Sequence, residues 1–234
     1  MGVPKNVSMH VSFVQQTAGR DHADTLIPMK TSATVLLIRH ATNPYVGKGL
    51  TGWLPGVSLD ATGRGEADRL AARLEKISLA AIYSSPLERA IETAQPTARL
   101  KNLEIIGNPD LGEIHFGEWQ GKSFAEIETH ESWSRFNAYR SATRAPGGEL
   151  MLETQARIIR GLHRIADSHP GQTVAAFSHA DAIKAALMHF LGIPLDFHLR
   201  LEILPASITI VEFGPHFPVV RAINLCEPLD LYGL

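Results

Sequence analysis

The chain lacks the features that mark secreted, membrane-spanning and nucleic-acid-binding proteins. Its single cysteine, Cys226, cannot form a disulfide within the chain, so we expect a reducing, cytoplasmic location. No apolar run approaches the roughly 20 residues of a membrane-spanning helix, and the N-terminal residues lack the apolar core of a signal peptide. The formal net charge of -2 supplies no basic excess for a phosphate backbone. We therefore expect a soluble protein without a membrane or nucleic-acid partner.

Metal-ligand spacing is also missing. The chain has 11 histidines, but those other than His40 and His179 show no compact spacing with one another or with Cys226. We therefore expect no metal site.

What the chain does have is length and apolar content. Its 234 residues, with 44% hydrophobic side chains, can bury a substantial core, which favours a single α/β domain.

The pattern along the chain divides it into an extension and a domain. Residues 1–32 show weak periodicity, and we expect an N-terminal extension that is either loosely attached or packs as an arm through the segment VSFV. Residues 33–234 alternate short apolar runs with amphipathic helical patterns, the rhythm of βαβ units.

The predicted elements define a three-layer α/β sandwich, with a mostly parallel central sheet flanked by helices. Long crossovers favour parallel pairing of the first four strands, and the segments 206–213 and 217–225 are close enough to form a hairpin. The predicted strands are Thr34–Ile38, Ala80–Tyr83, Leu103–Ile106 and Thr173–Phe177, and the predicted helical stretches are Thr62–Lys76, Leu87–Leu100, Phe124–Tyr139, Leu152–Ser168 and Asp181–Leu191.

Two histidines stand where predicted strands end. His40 follows VLLIR and His179 follows TVAAFS. Because ligands bind at the carboxyl ends of the strands in an open α/β sheet, we expect both imidazoles in one crevice. Arg89 lies just past another strand end, in the first turn of a helix whose amide donors favour an anion. Together with Arg39, it predicts a phosphate clamp.

Each of these residues has a structural alternative. The imidazole of His40 can cap its strand, Arg89 can pair with Glu92 on a helix surface, and the Ser-His pair at His179 can cap the next helix.

Six ordered segments resemble one known family. They are Arg39-His40-Ala41, Leu50–Trp53, Leu59–Ala67, Ser84–Ala94, Leu111–Gly121 and Ser178–Ile183. Together they are similar to the histidine phosphatase superfamily, the phosphoglycerate-mutase-like proteins, whose signature pairs an Arg-His-Gly element after the first strand with a late Ser-His element. The resemblance covers roughly residues 33 to 225. It implies that residues 33–234 form a phosphoglycerate-mutase-like catalytic domain that needs no metal or other cofactor.

The resemblance also implies roles for the candidate residues. His40 is the nucleophile that forms a phosphohistidine, which water then hydrolyses. Arg39 and Arg89 bind the phosphate oxygens, and His179 donates a further hydrogen bond. Glu113 protonates the leaving alcohol and then activates the water.

Other assignments carry open alternatives. Glu118 is a second carboxylate close to Glu113 in the same segment. Asn43, Thr51 and Gly52 are the expected substrate-binding residues, with backbone donors as the alternative to Asn43. Four aromatic residues serve either as pocket walls or as core anchors: Trp53, Phe116, Trp119 and Phe124.

Departures from the family pattern favour its phosphatase branch. Ala41 replaces the usual glycine, Ile114 follows Glu113 where mutases place an arginine, and the interval 119–147 is short for a mutase lid. We therefore expect a histidine acid-type phosphatase that hydrolyses phosphomonoesters of small molecules. The alternatives are a phosphoglycerate-type mutase and a catalytically silent module that binds phosphorylated ligands. The oligomeric state stays open.

Overall fold

The computed structural model describes residues 32–226. The predicted extension, except for Ser32, and the last eight residues of the predicted domain lie outside the described part. The strands are β1 (Ala33–Arg39), β2 (Ala81–Ser84), β3 (Ile105–Gly107), β4 (Thr173–Ser178), β5 (Ile208–Phe213) and β6 (Pro218–Leu225). The α-helices are α1 (Ala61–Arg73), α2 (Glu88–Lys101), α3 (Phe124–Ile127), α4 (Glu131–Ala138), α5 (Met151–Ser168) and α6 (Ala180–Phe190), and single 3-10 segments cover Pro109–Leu111, Gly117–Trp119 and Leu195–Arg200.

The central sheet is mostly parallel, as predicted. Its strand order is β3-β2-β4-β1-β5-β6, and the first four strands in this order pair in parallel. Strand β5 pairs antiparallel to both β1 and β6, which forms the predicted hairpin. In the register between β1 and β4, Arg39 lies opposite Ser178. His40 follows Arg39 and His179 follows Ser178, so the two histidines leave the sheet at the same level.

Helices cover both faces of the sheet and give the expected three layers. On β1, Leu36 and Ile38 pack into the core on the side of α1 and α2, whereas Val35 and Leu37 pack with α5 and α6 on the other side. Successive side chains of a strand point to opposite faces, so a strand covered on both sides is apolar throughout. No helix within the described residues is long and apolar enough to cross a membrane.

The predicted helical stretch Phe124–Tyr139 is wrong as a single element. The structure divides it into α3 and α4, which a turn at residues 128–130 separates. Ile127 of α3 and Phe136 of α4 both pack into a third apolar cluster with Trp119. In one straight helix, both side chains could reach a common cluster only from the same face of the helix. Their burial in one cluster therefore favours a break between α3 and α4.

The start of α1 supports the loop that follows β1. The side chain of Asp60 accepts a hydrogen bond from the Gly63 amide at 2.8 Å and caps the helix. A methyl group on Gly63 would overlap the backbone oxygen of Thr42, so only glycine allows this close approach. The loop with Thr42 begins at His40, so α1 packs directly behind the candidate nucleophile.

Candidate active site

The carboxyl ends of β1 and β4 bring the two predicted histidines together. The ring centroids of His40 and His179 lie 5.1 Å apart, with the ring planes tilted by 58°. Both side chains are buried. The pair therefore occupies the crevice in which the sequence placed it.

A backbone carbonyl determines the tautomer of His40. Nδ1 of His40 lies 2.7 Å from the backbone oxygen of Ala41. Because a carbonyl oxygen can only accept, Nδ1 carries the proton and Nε2 keeps its lone pair. Burial first, then the charges of Arg89 and Arg39, hold the pKa of His40 well below its usual value. The imidazole is therefore neutral at pH 7 and can act as a nucleophile.

The ring of His179 pairs with the hydroxyl of a serine. Nε2 of His179 lies 2.7 Å from Oγ of Ser85, and that hydroxyl also accepts a hydrogen bond from the Leu87 amide at 3.3 Å. Burial, Arg89 and His40 keep the pKa of His179 well below its usual value, so this ring is neutral too. When Ser85 donates to Nε2, the proton of His179 resides on Nδ1, which has no partner among residues 32–226.

Arg89 is a buried cation with unused donors. Its Nη2 donates to the backbone oxygen of Gly52 at 2.8 Å, whereas Nε and Nη1 have no partner within the described chain. Burial lowers the pKa of Arg89 to about 10, so the guanidinium remains charged at pH 7. A buried cation with unpaired donors is costly unless an anion compensates it.

The Thr93 hydroxyl connects α2 to the His40 loop. It donates to the backbone oxygen of Arg89 at 2.6 Å and accepts from the Ala41 amide at 2.9 Å.

Arg39 completes a set of cationic and neutral donors around His40. Its Nη1 donates to the backbone oxygen of Ile203 at 2.5 Å, and its buried Nε has no partner in the described residues. Four buried donor atoms on Arg39, Arg89 and His179 thus have no acceptor within residues 32–226. Three N–H-bearing side chains next to a neutral imidazole are suited to the oxygens of a phosphoryl group.

Glu113 is held at the N-terminus of α6. Its Oε1 accepts from the amides of Ile114 at 3.0 Å and Ala182 at 3.1 Å, and its Oε2 lies 3.5 Å from the Asp181 amide. Its backbone oxygen accepts from the Trp53 indole at 2.5 Å, which fixes the segment. Burial, followed by the charge of Asp181, raises the pKa of Glu113 to about 7. Glu113 can therefore both give and take a proton near neutral pH.

A cleft of about 140 Å³ opens beside these residues. Of the predicted catalytic residues, His40, Arg39 and Glu113 line it, while Arg89 and His179 are fully buried. The neighbouring carboxylate Glu118 is exposed and does not line the cleft.

The predicted substrate contacts divide into two groups. Asn43 and Thr51 line the cleft, whereas Gly52 does not and instead accepts the hydrogen bond from Arg89.

The four aromatic residues divide in the same way. Phe116 and Phe124 line the cleft, Trp119 lies in the third apolar cluster, and Trp53 holds the Glu113 backbone.

The comparison with protein families agrees with this geometry. The family model of the histidine phosphatase superfamily (branch 1) matches residues 35–225, which contain every residue placed at the site. The chain belongs to the histidine phosphatase superfamily.

Curated relatives of the chain carry several names. Bifunctional protein Rv2228c of Mycobacterium tuberculosis is 33% identical over 195 residues, or 78% of this chain and 51% of that protein. The chain therefore spans about half the length of this relative. Phosphoserine phosphatase 1 of Hydrogenobacter thermophilus is 28% identical over 201 residues, covering 85% of this chain and 95% of that protein. Phosphoglycerate mutase-like protein 4 of Arabidopsis thaliana is 33% identical over 159 residues, covering 65% and 69%.

A solved structure shares the fold of the chain. The protein YhfR of Bacillus stearothermophilus superimposes with a TM-score of 0.79 at 30% sequence identity, over 84% of this chain and 99% of that one. The chain thus has the α/β, phosphoglycerate-mutase-like fold of its family.

Sequence reasoning missed four polar residues around the site. Ser85 and Thr93 lie within the matched segment Ser84–Ala94. The contact of Ser85 with His179 and that of Thr93 with the Ala41 amide follow only from the packing of β2 and α2 against the neighbouring strands. Asp181 lies within the matched segment Ser178–Ile183, but no pattern indicated that its carboxylate pairs with Arg140, at 3.1 Å. No pattern singled out Arg140, because it lies just beyond α4 in a predicted loop.

Within residues 32–226, no group of three or more histidine, cysteine, aspartate or glutamate side chains is arranged to hold a metal ion.

Proposed function

We propose that this histidine phosphatase hydrolyses small phosphomonoesters through a phosphohistidine formed on Nε2 of His40. The observation that carries the proposal is the combination of a neutral imidazole, whose Nδ1 is fixed on a carbonyl, with four buried donor atoms that lack acceptors in the described chain. The first part supplies the nucleophile, and the second supplies binding for the transferred group.

In the first step, Nε2 of His40 attacks phosphorus and the bond from phosphorus to the ester oxygen breaks. The electron pair of that bond goes to the ester oxygen, which takes the proton of Glu113 and leaves as an alcohol. Arg39, Arg89 and Nδ1–H of His179 donate to the phosphoryl oxygens while charge develops on them.

In the second step, the carboxylate of Glu113 takes a proton from water as the water oxygen attacks phosphorus. The bond between Nε2 and phosphorus breaks, its electron pair returns to His40, and inorganic phosphate leaves. Glu113 is protonated again, so the cycle returns to its starting state. A pKa near 7 suits a residue that gives a proton in one step and takes one in the next.

The local sequence after Glu113 favours water over a bound phosphoglycerate as the final acceptor. Ile114, which stands where mutases have an arginine, is fully buried in the third apolar cluster and offers nothing to a substrate carboxylate. The raised pKa of Glu113 favours catalysis over a silent binding module, because a module has no need of a proton donor. We also propose that the substrate is a small phosphorylated metabolite in the cytoplasm.

The test compares His40→Ala with His189→Ala, an exposed histidine remote from the site. We expect His40→Ala to lower phosphate release from nitrophenyl phosphate by roughly 10³-fold or more, and His189→Ala to leave it unchanged. The same assay with 3-phosphoglycerate follows both free phosphate and the isomer. Full turnover by His40→Ala would refute the proposal, and isomerisation faster than phosphate release would establish the mutase alternative.

A further inference from the structure

The cleft contains a carboxylate that the proposed reaction does not use. Asp181 lies in the first turn of α6 and lines the cleft beside Glu113. Its backbone amide is 3.5 Å from Oε2 of Glu113, so the end of the Glu113 side chain lies next to the backbone of Asp181. A group attached to the ester oxygen must pass Glu113, which donates to that oxygen, and therefore comes close to Asp181.

A buried arginine keeps this carboxylate ionised and fixed. Nη1 of Arg140 donates to Oδ2 of Asp181 at 3.1 Å, and Nη2 donates to Oδ1 of Asn137 at 3.0 Å. The guanidinium also lies 4.0 Å above the ring of Phe136. Burial alone would raise the pKa of Asp181, but the charges of Arg140 and Lys184 outweigh it and the pKa is lowered.

One face of the carboxylate remains open to the cleft. The Asp181 side chain is 16% exposed and that of Arg140 only 4%, so the cation lies behind the anion as seen from the cleft. Oδ1 of Asp181 accepts no hydrogen bond from residues 32–226 and remains available to a ligand.

The rest of the cleft lining provides no cation that could pair with an anionic substituent of the substrate. Among the cleft-lining residues of the described chain, Arg39 is the only lysine or arginine, and the proposed phosphate occupies it. The remaining wall is mostly apolar or uncharged, with Tyr45, Leu50, Phe116 and Phe124. A carboxylate on the leaving group would therefore meet Asp181 first, because the nearby cations Arg140 and Lys184 do not line the cleft.

We infer that Asp181, held by Arg140, selects phosphomonoesters whose alcohol carries an ammonium group close to the ester oxygen and discriminates against alcohols that carry a carboxylate. This inference rests on the proposed phosphatase function. It adds the class of leaving group to that function, because a charge-assisted hydrogen bond to Oδ1 rewards a cation and repulsion penalises an anion.

Three esters of two-carbon alcohols provide the test: O-phosphoethanolamine, whose second carbon carries an ammonium group, ethyl phosphate, whose second carbon is a methyl group, and 2-phosphoglycolate, whose second carbon is a carboxylate. We expect kcat/KM at pH 7 to fall in that order, with about tenfold or more between the first and the last. Asp181→Asn should lower the value for phosphoethanolamine and raise it for phosphoglycolate relative to ethyl phosphate, and bring the three within about threefold of one another.

For each substrate, the kcat/KM of the native chain is divided by that of the variant, and this ratio is compared between the three substrates. Asp181→Asn also lowers the pKa of Glu113, but the change in that residue is common to the three reactions. Glu118→Gln, which removes an exposed carboxylate outside the cleft, is the matched control and should keep the native ranking. The double variant Arg140→Met/Asp181→Asn removes both charges, so it avoids an uncompensated buried arginine if the single variant fails to fold.

The outcomes separate the two claims. If the native chain hydrolyses ethyl phosphate but prefers phosphoglycolate, or if its ranking persists in both Asp181 variants, the inference about Asp181 is wrong and the phosphatase function stands. If none of the three esters nor nitrophenyl phosphate is hydrolysed, the proposed function itself fails.

Discussion

At His40, one hydrogen bond decides which ring nitrogen can react. The carbonyl of Ala41 accepts a hydrogen bond from Nδ1–H, so Nε2 is the nucleophilic atom. The sequence indicated the residue but not the tautomer, because the acceptor is a backbone atom whose direction depends on the loop. It also flagged Ala41 as a departure from the usual glycine. The structure buries the added methyl group in the apolar cluster that also contains Leu36 and Ile38.

The pKa of Glu113, about 7, predicts how activity depends on pH. Because the folded-state pKa is raised, the proton needed by a poor leaving group is present below pH 7 and is lost above it. We expect kcat/KM for ethyl phosphate to fall about tenfold per pH unit above about pH 7. Glu113→Gln should remove this alkaline limb and lower the rate by roughly 10²- to 10⁴-fold.

Nitrophenyl phosphate is the matched control for this prediction, because nitrophenolate leaves without a proton. Its hydrolysis should depend less on Glu113 and show a shallower alkaline decline. An equal loss with both esters in Glu113→Gln would mean that Glu113 acts by position or charge rather than as an acid.

At the scale of elements, α1 supports the catalytic loop through a single close approach. We expect Gly63→Ala to lower the free energy of unfolding by about 1–3 kcal/mol and to lower kcat/KM, because its methyl group forces Thr42 and the His40 loop to move. Urea unfolding and nitrophenyl phosphate hydrolysis measure the two effects.

Gly65, two residues later in the same helix, is the control. A methyl group there meets only the flexible end of Arg69, at 3.4 Å. Gly65→Ala should therefore leave activity unchanged and raise stability by about 0.5–1 kcal/mol, because alanine is the better helix former. Equal behaviour of the two variants would show that helix propensity, and not contact with Thr42, explains the glycine at position 63.

The elements also show where sequence reasoning reaches its limit. The strands β1, β2 and β4 and the final hairpin were predicted close to their observed bounds, because short apolar runs between polar segments have few other interpretations. The division into α3 and α4 was missed, because periodicity reports only that side chains become buried and not that Ile127 and Phe136 reach one cluster from two helices. Arg140 was missed for a related reason: a loop has no period that marks a buried residue.

At the scale of the whole molecule, the site is a consequence of topology. The order β3-β2-β4-β1 places the carboxyl ends of β1, β2 and β4 side by side, and the register that pairs Arg39 with Ser178 aligns the two histidines. The βαβ rhythm predicted this convergence for His40, His179 and Arg89. It could not predict the partners that hold them, such as Ser85, because those contacts depend on how the helices pack over the sheet.

Trapping the phosphorylated intermediate tests the account most directly. The chain is mixed with a labelled phosphomonoester, quenched within milliseconds under alkaline denaturing conditions that preserve phosphohistidine, and digested to locate the label. We predict an acid-labile phosphoryl group on His40, which disappears in His40→Ala and accumulates when the nitrophenyl ester is used with Glu113→Gln, because that variant slows hydrolysis of the intermediate. Turnover without any labelled protein, or label on another residue, would contradict the assignment of His40 as the nucleophile.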